Sequence, residues 1–248
     1  MLVSVWKSAQ EIQYSLSDAR NVAVFSCNVC ANLNGTGGKK GLRKMKRLLS
    51  QWGKTVVMAR TVNICCSEEI MRQCIRIYLK PVQKKCDALV MLACAGGVKC
   101  AFFCGPGMPV IAALDSTGSG VVATSRPVRE AGICTTCDHC VVSYTRGICP
   151  VTECPAKKKY GPCKNAPERS GPCVIDPGRA CIWHIIEANG VKMTTLDAVA
   201  KIHKSEDYER LSAVHSGGPI LPVRRFCGWF MARIPGISPL IDLVRARQ

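Results

Sequence analysis

The chain has 248 residues, of which 34 are basic, 17 are acidic and 18 are cysteines. This length allows one large domain or two modest ones, and the apolar runs are long enough to build their cores. Small secreted scaffolds carry many cysteines because they need disulfides in place of a core, and the start MLVSVWKSAQEIQ does not resemble a secretory signal. The composition therefore argues against a disulfide scaffold and predicts a cytoplasmic protein whose clustered cysteines bind metal.

The formal net charge of +17 has three interpretations. One is a basic, solvated surface, and the second is a surface that binds nucleic acid. The third is that lysine and arginine partly offset the negative charge of thiolate-bound clusters. Aromatic residues are sparse and do not alternate with the basic residues, so the sequence indicates no stacking platform for bases. Nucleic acid is therefore disfavoured as a partner.

The first half of the chain has the pattern of an α/β domain. Residues 1–20 are predicted to form an amphipathic lead-in helix. Alternating strands and helices follow, and this order implies a parallel, Rossmann-like sheet with right-handed crossovers. The predicted strands are 22–26, 55–62, 87–93 and 110–114, and the predicted helices are 39–51, 67–79 and 97–104.

One stretch of this domain mimics a membrane span. Between Ala88 and Leu114 the only charged residue is Lys99, and a spanning helix needs about 20 apolar residues. Glycines at 96–97 and the run GPGMP at 105–109 interrupt the stretch. We therefore predict a buried strand, a helix and a second strand, and membrane contact is disfavoured.

The second half of the chain changes character. A Gly/Ser-rich link is predicted at 118–127, and residues 134–181, the Cys-rich segment, contain eight cysteines with many prolines and glycines. Such a segment cannot fold around an apolar core of its own and must be organised by metal. More helix is predicted at 182–188 and 194–213, followed by a basic, apolar tail. The predicted domains are an α/β domain (1–126), an irregular Cys-rich metal-binding domain (127–190) and a helical, basic tail (191–248).

Cysteines follow each of the first three predicted strands. Cys27 and Cys30 follow the first strand, Cys65 or Cys66 the second, and Cys94 the third. Ligands bind beyond the carboxyl ends of parallel strands, where these thiols would meet. Four thiolates are what a cubane iron–sulfur cluster requires. The alternative is that they are ordinary buried thiols.

The glycine run NGTGGKKG resembles a phosphate loop but matches neither known pattern. Leu33 occupies the first glycine position of a Walker loop, and Lys40 occupies its Ser/Thr position. Lys40 also replaces the last glycine of the dinucleotide fingerprint. We expect instead that Gly35, Gly37 and Gly38 let the backbone approach a cluster, where amide groups would stabilise its negative charge.

The Cys-rich segment supplies eight thiols, enough for two four-thiolate sites. Its opening spacing, C-x2-C-x2-C, matches that of ferredoxins, whereas the fourth cysteine comes later than usual. All-sulfur sites select iron–sulfur clusters or zinc, and the spacing leaves both open. His139 and His184 could replace a thiolate, but surface imidazoles are expected. The predicted ligands are Cys134, Cys137, Cys140, Cys149, Cys154, Cys163, Cys173 and Cys181.

The block from Cys134 to Ile186 resembles the small, non-flavin subunit of bacterial methylenetetrahydrofolate reductases, in the phrases GICPVTEC, GPC, GPCVIDP and CIW. The upstream stretches CNVCANLNGTGGKKG and LVMLACAGGV resemble the other half of that subunit, so the likeness covers about residues 21–190. Cys66, Cys74, Cys86, Cys100, Cys104 and Cys227 are additional to the family's pattern.

The resemblance implies an electron-transfer subunit with two or three 4Fe-4S clusters, with zinc as a possibility at one Cys-rich site. A flavin-containing reductase subunit would be its partner and would reduce the folate, and further electron-transfer subunits could join them. No set of catalytic side chains is evident, so the chain is not expected to be an oxidoreductase alone. The alternatives are a zinc-stabilised scaffold or a basic zinc-binding nucleic-acid module. Residues 218–248 are expected to dock on the partner, to pack on their own domain, or to contact a membrane.

Overall fold

The computed structural model describes residues 2–119, 134–164, 166 and 171–211. The strands are β1 Leu2–Trp6, β2 Asn21–Cys27, β3 Thr55–Val62, β4 Ala88–Leu92, β5 Val110–Ala112 and β6 Leu114–Ser119. The helices are α1 Ala9–Ser15, α2 Cys30–Leu33, α3 Gly38–Gln51, α4 Glu68–Cys74, α5 Ala95–Phe103, α6 Pro150–Glu153, α7 Ile182–Ala188 and α8 Met193–Lys204. A π-helix, Ile75–Leu79, and a 3-10 helix, Lys80–Lys85, continue α4.

The main sheet has four parallel strands in the order β3-β2-β4-β5. Strand β4 is buried at all five positions, as expected for a strand covered on both faces. Helix α3 packs Met45 and Leu49 into the same core, and its charged residues face outward. The predicted α/β class with a parallel sheet is therefore confirmed.

The parallel arrangement brings the carboxyl ends of the strands to one edge. Strand β2 ends at Cys27, and Cys94 stands directly before α5. Cys65 and Cys66 lie in the turn between β3 and α4. The stretch 88–114 is a strand, a helix and a strand, as predicted. None of the helices in the described part of the chain has both the length and the apolar character needed to cross a membrane.

The predicted lead-in helix is wrong for the first residues. Leu2–Trp6 is a strand that pairs antiparallel with β6, and its β-branched and aromatic residues favour this conformation. Helix α1 begins only after Ser8, whose hydroxyl accepts a hydrogen bond from the Glu11 amide at 3.1 Å. The first residues of the predicted link, 118 and 119, belong to β6.

The last described helix is shorter than expected. Helix α8 ends at Lys204 rather than near residue 213. Beyond it, Ser205 has an extended backbone, and Ser8 forms a β-bridge with Arg210. This return brings Tyr208 and Arg210 to carboxylates buried beside β1 and β6. The predicted tail beyond residue 211 lies outside the described residues.

The Cys-rich segment is less isolated from apolar packing than the sequence predicts. Val141 and Cys154 share a small apolar cluster with residues of α7 and α8, among them Trp183. Val142 and Cys149 join the main core instead. The segment thus fills the space between the sheet edge and the last two helices, and the domain limits at 126 and 190 stay predictions.

Candidate metal centre

Five thiols gather at the carboxyl edge of the main sheet. We call them the sheet-edge thiols: Cys27, Cys30, Cys65, Cys66 and Cys94. Cys27, Cys65 and Cys94 are buried, Cys30 is half-buried and Cys66 is exposed. The sheet topology alone explains the meeting, since three loops that are distant in sequence leave neighbouring strands at this edge.

The sheet-edge thiols contact one another in pairs. The Cys65 thiol donates a hydrogen bond to the Cys27 sulfur, and this bond is the main reason that the pKa of Cys27 falls to about 6. The Cys94 thiol donates in the same way to Cys30, which lowers the pKa of Cys30. The donors change in the opposite direction: the pKa values of Cys65 and Cys94 are raised, first by these bonds and then by burial.

Backbone amides also point at these sulfurs. The N–H groups of Cys65, Val29 and Ala31 donate to the Cys27 sulfur. The Gly97 N–H, in the first turn of α5, donates to the Cys94 sulfur. Amide donors of this kind stabilise negative charge on sulfur, and the first turn of a helix favours an anion. The surroundings of these sulfurs therefore suit thiolates or an anionic cluster.

The glycine run packs closely against the loop that contains Cys27 and Cys30. A Cβ atom at Gly37 would lie 2.7 Å from the Cys27 carbonyl oxygen and 2.6 Å from the Ala31 Cβ. Gly35 and Gly38 have φ values of +73° and +61°, which favour glycine. Gly37 lets the start of α3 pack against the Cys27–Ala31 loop, and Gly38 leaves room for the Asn32 side chain. The approach of the three glycines to a bound group stays a prediction.

The structure distinguishes Cys65 from Cys66. Cys65 points into the core, where it meets Cys27 and packs against α5. Cys66 lies within electrostatic range of Cys94 and Cys27, but its residue is exposed. Cys65 is therefore the better placed fourth ligand beside Cys27, Cys30 and Cys94.

The next four cysteines line a single cavity. This loop quartet consists of Cys134, Cys137, Cys140 and Cys149, and the cavity is also lined by Ala95, Ser116 and Lys159. The four cysteines of the ferredoxin-like spacing thus line one common cavity. Lys159 donates a hydrogen bond to the Cys137 carbonyl at 3.3 Å and brings a positive charge to the rim.

The loop between these cysteines has an unusual backbone. Thr136, Asp138 and His139 have φ values of +53°, +57° and +42°, a region that residues other than glycine rarely adopt. The Thr136 N–H donates to the Cys134 sulfur at 3.2 Å. Strained backbone of this kind concentrates where a site must be held in one geometry.

The sheet-edge thiols and the loop quartet adjoin each other. Ala95 lines the quartet cavity and directly follows Cys94 in the chain. The thiol of Cys94 lies close enough to Cys134 to raise its pKa, although burial is the larger cause. The Ala95 amide is in turn held by the Ser116 hydroxyl at 3.0 Å. Two four-sulfur sites would therefore be neighbours at the same sheet edge.

The remaining predicted ligands are Cys154, Cys163, Cys173 and Cys181, which we call the distal cysteines. The fold brings them together only in part. Cys154 and Cys181 share the small apolar cluster. The Cys181 amide donates a hydrogen bond to the Gly171 carbonyl, and a β-bridge joins Pro172 to Ala180, so Cys173 lies on a segment beside Cys181. Cys163 is half-buried, and the described contacts do not join its thiol to the other three.

The two histidines of the segment are not the surface imidazoles that the sequence predicts. Both are half-buried, and Nδ1 of each is buried without a hydrogen-bond partner among the described residues. His139 lies between Cys137 and Cys140 in sequence and packs against the rings of His203 and Tyr208. A buried nitrogen without a partner keeps histidine ligation open at these positions.

Both neighbouring sets offer only sulfur donors, which iron–sulfur clusters and zinc both accept. Among the described residues, no three histidine, cysteine, aspartate or glutamate side chains converge as a single metal ion requires. Sulfurs around one zinc ion stand about 3.7 Å apart, because each bond is about 2.3 Å long. In a cubane cluster each thiolate binds a different iron, so its ligands stand farther apart. The sheet-edge thiols are in part closer than such ligands, since Cys27 and Cys65, and likewise Cys30 and Cys94, share a hydrogen bond.

Sequence reasoning missed a buried ionic network beside the loop quartet. Lys7, Glu11 and Asp115 are fully buried, and Lys7 forms an ion pair with each of the two acids. A helix over residues 1–20, as the sequence predicts, gives no indication that Lys7 pairs with Asp115 of β6. Lys7 and Glu11 stand only four residues apart, but Asp115 lies more than 100 residues away, so only the fold completes the network.

Residues 111–209 match the family model described as "Methylene-tetrahydrofolate reductase C terminal". The match covers the loop quartet, the distal cysteines and both half-buried histidines, and it leaves the sheet-edge thiols outside. No curated protein matches the chain.

Proposed function

We propose that the chain is an iron–sulfur electron-transfer subunit of a methylenetetrahydrofolate reductase-type complex. It would relay electrons to or from a flavin-containing partner subunit, which would carry out the folate chemistry. The family match supports the link to an oxidoreductase of one-carbon metabolism. The resemblance of the cysteine pattern supports the clusters and the partner.

The closeness of the two cysteine sets supports the proposal. Electrons move between redox centres only when the centres are close. Cys94 lies within electrostatic range of Cys134 and directly precedes Ala95, which lines the quartet cavity. Iron–sulfur clusters would supply the one-electron redox chemistry there. The chain's own part is to hold the sulfurs, to exclude water with the core around β2 and β4, and to direct amide groups at the sulfurs.

A zinc-stabilised scaffold is the second candidate. The buried Nδ1 atoms of His139 and His184 favour it, since neutral imidazole is a common zinc ligand. Such a subunit would organise a complex and carry no electrons. The two candidates differ in a simple property: iron–sulfur clusters absorb visible light and bleach when reduced, whereas zinc does neither.

Electron transfer to a flavin partner tests the proposal. The anaerobic protein is reduced with dithionite, freed of excess reductant and mixed with a flavin-bearing methylenetetrahydrofolate reductase subunit in a stopped-flow instrument. We expect the visible absorbance of the centres to return as the flavin is bleached. A reduced protein whose spectrum does not change after mixing would contradict the relay, and a colourless protein would favour the scaffold.

A further inference from the structure

Lys7 is a lysine that the solvent does not reach. Its side chain is 0% exposed, as are those of Glu11 and Asp115. An ammonium group without water is costly unless every proton has an acceptor. Here the acceptors are the carboxylates of Glu11 and Asp115 and the carbonyl oxygen of Cys140 at 2.9 Å. Lysine has three donors, and all three are used.

Cys140 is held at both of its backbone polar groups. Its N–H donates to Asp115 Oδ1 at 2.7 Å, and its carbonyl accepts from Lys7. The same Asp115 oxygen lies 2.9 Å from the Lys7 nitrogen. Asp115, Lys7 and the Cys140 backbone thus form a closed ring of three polar contacts at one predicted ligand.

Further groups fix the two acids. Asp115 Oδ2 lies 3.5 Å from the Tyr208 hydroxyl and 3.5 Å from Arg210, which also pairs with Asp138 in the quartet loop. Glu11 accepts hydrogen bonds from the hydroxyls of Tyr144 at 3.1 Å and Tyr208 at 2.9 Å. His203 Nε2 lies 3.0 Å from Glu11. Lys7, Asp115 and Glu11 therefore have little freedom to move.

We propose that Lys7 and Asp115 form a charged clamp that positions the Cys140 sulfur as a ligand and sets the reduction potential of the centre at the loop quartet. The inference rests on the proposed function, because it needs a redox centre at that place. A nearby cation stabilises the more negative, reduced state of a centre, and a nearby carboxylate destabilises it. Salt screens buried charges weakly, so both effects persist at high ionic strength.

Redox titration of variants tests the clamp. The relevant signal is the one that Cys149→Ser abolishes. Lys7→Met removes the cation, so the midpoint potential should become more negative. Asp115→Asn removes a negative charge but keeps an oxygen that can accept from the Cys140 N–H, so the potential should become more positive. A purely structural role would not shift the two variants in opposite directions.

Lys159→Met is the matched control. Lys159 is a half-exposed lysine that donates to the carbonyls of Cys137 and Asp138 in the same loop. Its removal should also lower the potential at low ionic strength, but this shift should fade as salt is added. The shifts of the Lys7 and Asp115 variants should remain under the same salt.

Two results would overturn the clamp in distinguishable ways. A folded Asp115→Asn protein with the wild-type potential would reject the clamp alone, and this holds even where Lys7→Met fails to fold. A wild-type protein with no reducible signal at the loop quartet would reject the proposed redox function and the clamp together.

Discussion

A Cβ atom at Gly97 would lie 2.8 Å from the Cβ atom of Cys65. It would also lie 2.8 Å from the Cβ of Ala93, the residue before Cys94. Glycine thus lets α5 pack directly against the turn that carries Cys65. The close approach aligns two of the sheet-edge thiols, although they come from different loops.

Gly97→Ala should therefore damage the sheet-edge site. The added methyl must displace Cys65 or the start of α5, and overpacking of this kind costs about 1–3 kcal/mol of the free energy of unfolding. We expect a loss of about four irons per chain, the content of one cubane cluster, with the signal of the loop quartet retained. Gly118→Ala is the control, because its Cβ would meet only Val3 at an ordinary 3.8 Å. Equal iron content in both variants would contradict the role of this contact.

Single cysteine changes should locate the ligands of the sheet-edge site. Cys94→Ser should remove about four irons per chain, because Cys94 stands at the carboxyl end of β4. Cys86 stands near the amino end of the same strand, so Cys86→Ser should keep all the iron. The same comparison separates Cys65→Ser, which should lose iron, from Cys66→Ser, which should not. Measured iron that falls equally in Cys86→Ser and Cys94→Ser would argue against a site at this edge.

The Cys-rich segment should depend on metal for its fold. Cys149→Ser should unfold the Cys-rich segment around the loop quartet, because the metal proposed to bind these four thiols would hold it together, and its apolar residues pack only in clusters shared with the rest of the fold. Limited proteolysis should then cut within residues 134–181, while the four-stranded sheet stays intact. Cys163→Ser should have a similar effect if the distal cysteines bind a second metal. A Cys149→Ser protein that resists protease without metal would refute the metal-dependent fold.

Acid should destabilise the protein through Glu11. Burial alone would raise the pKa of this carboxyl, but the charge of Lys7 and the hydrogen bond from His203 lower it well below the ordinary value of 4.5. A carboxyl with a lowered pKa in the folded state stabilises that state above the pKa of the unfolded chain, and this stability is lost as the pH falls. Urea unfolding followed by circular dichroism should therefore show stability that declines below about pH 4.5.

Glu11→Gln provides the comparison for this pH dependence. The amide cannot ionise, so stability in this variant should be lower at neutral pH and should fall less on acidification. Because clusters themselves are labile in acid, the quantity to compare is the difference between the two proteins at each pH. A difference that stays constant from about pH 6 to pH 3 would mean that the ionisation of Glu11 does not contribute to the free energy of unfolding.

Local pattern was enough to predict the main sheet but not the surroundings of the quartet. Runs such as ALVML at 88–92 are buried on both faces, so periodicity and composition identified them and placed Cys27, Cys65 and Cys94 at one edge. Strand β1 was missed because its partner, β6, lies more than 100 residues away in sequence. The clamp on Cys140 was missed for the same reason, because Asp115 and Cys140, which Lys7 contacts in the fold, lie more than 100 residues away from it in sequence.

The metal and sulfide content of the anaerobically purified protein tests the central claim most directly. Iron, acid-labile sulfide and zinc are measured on one sample, together with its visible spectrum before and after dithionite. Two or three cubane clusters predict about eight to twelve irons and as many sulfides per chain, with a brown colour that bleaches on reduction. A colourless protein that contains zinc but neither iron nor sulfide would contradict the account.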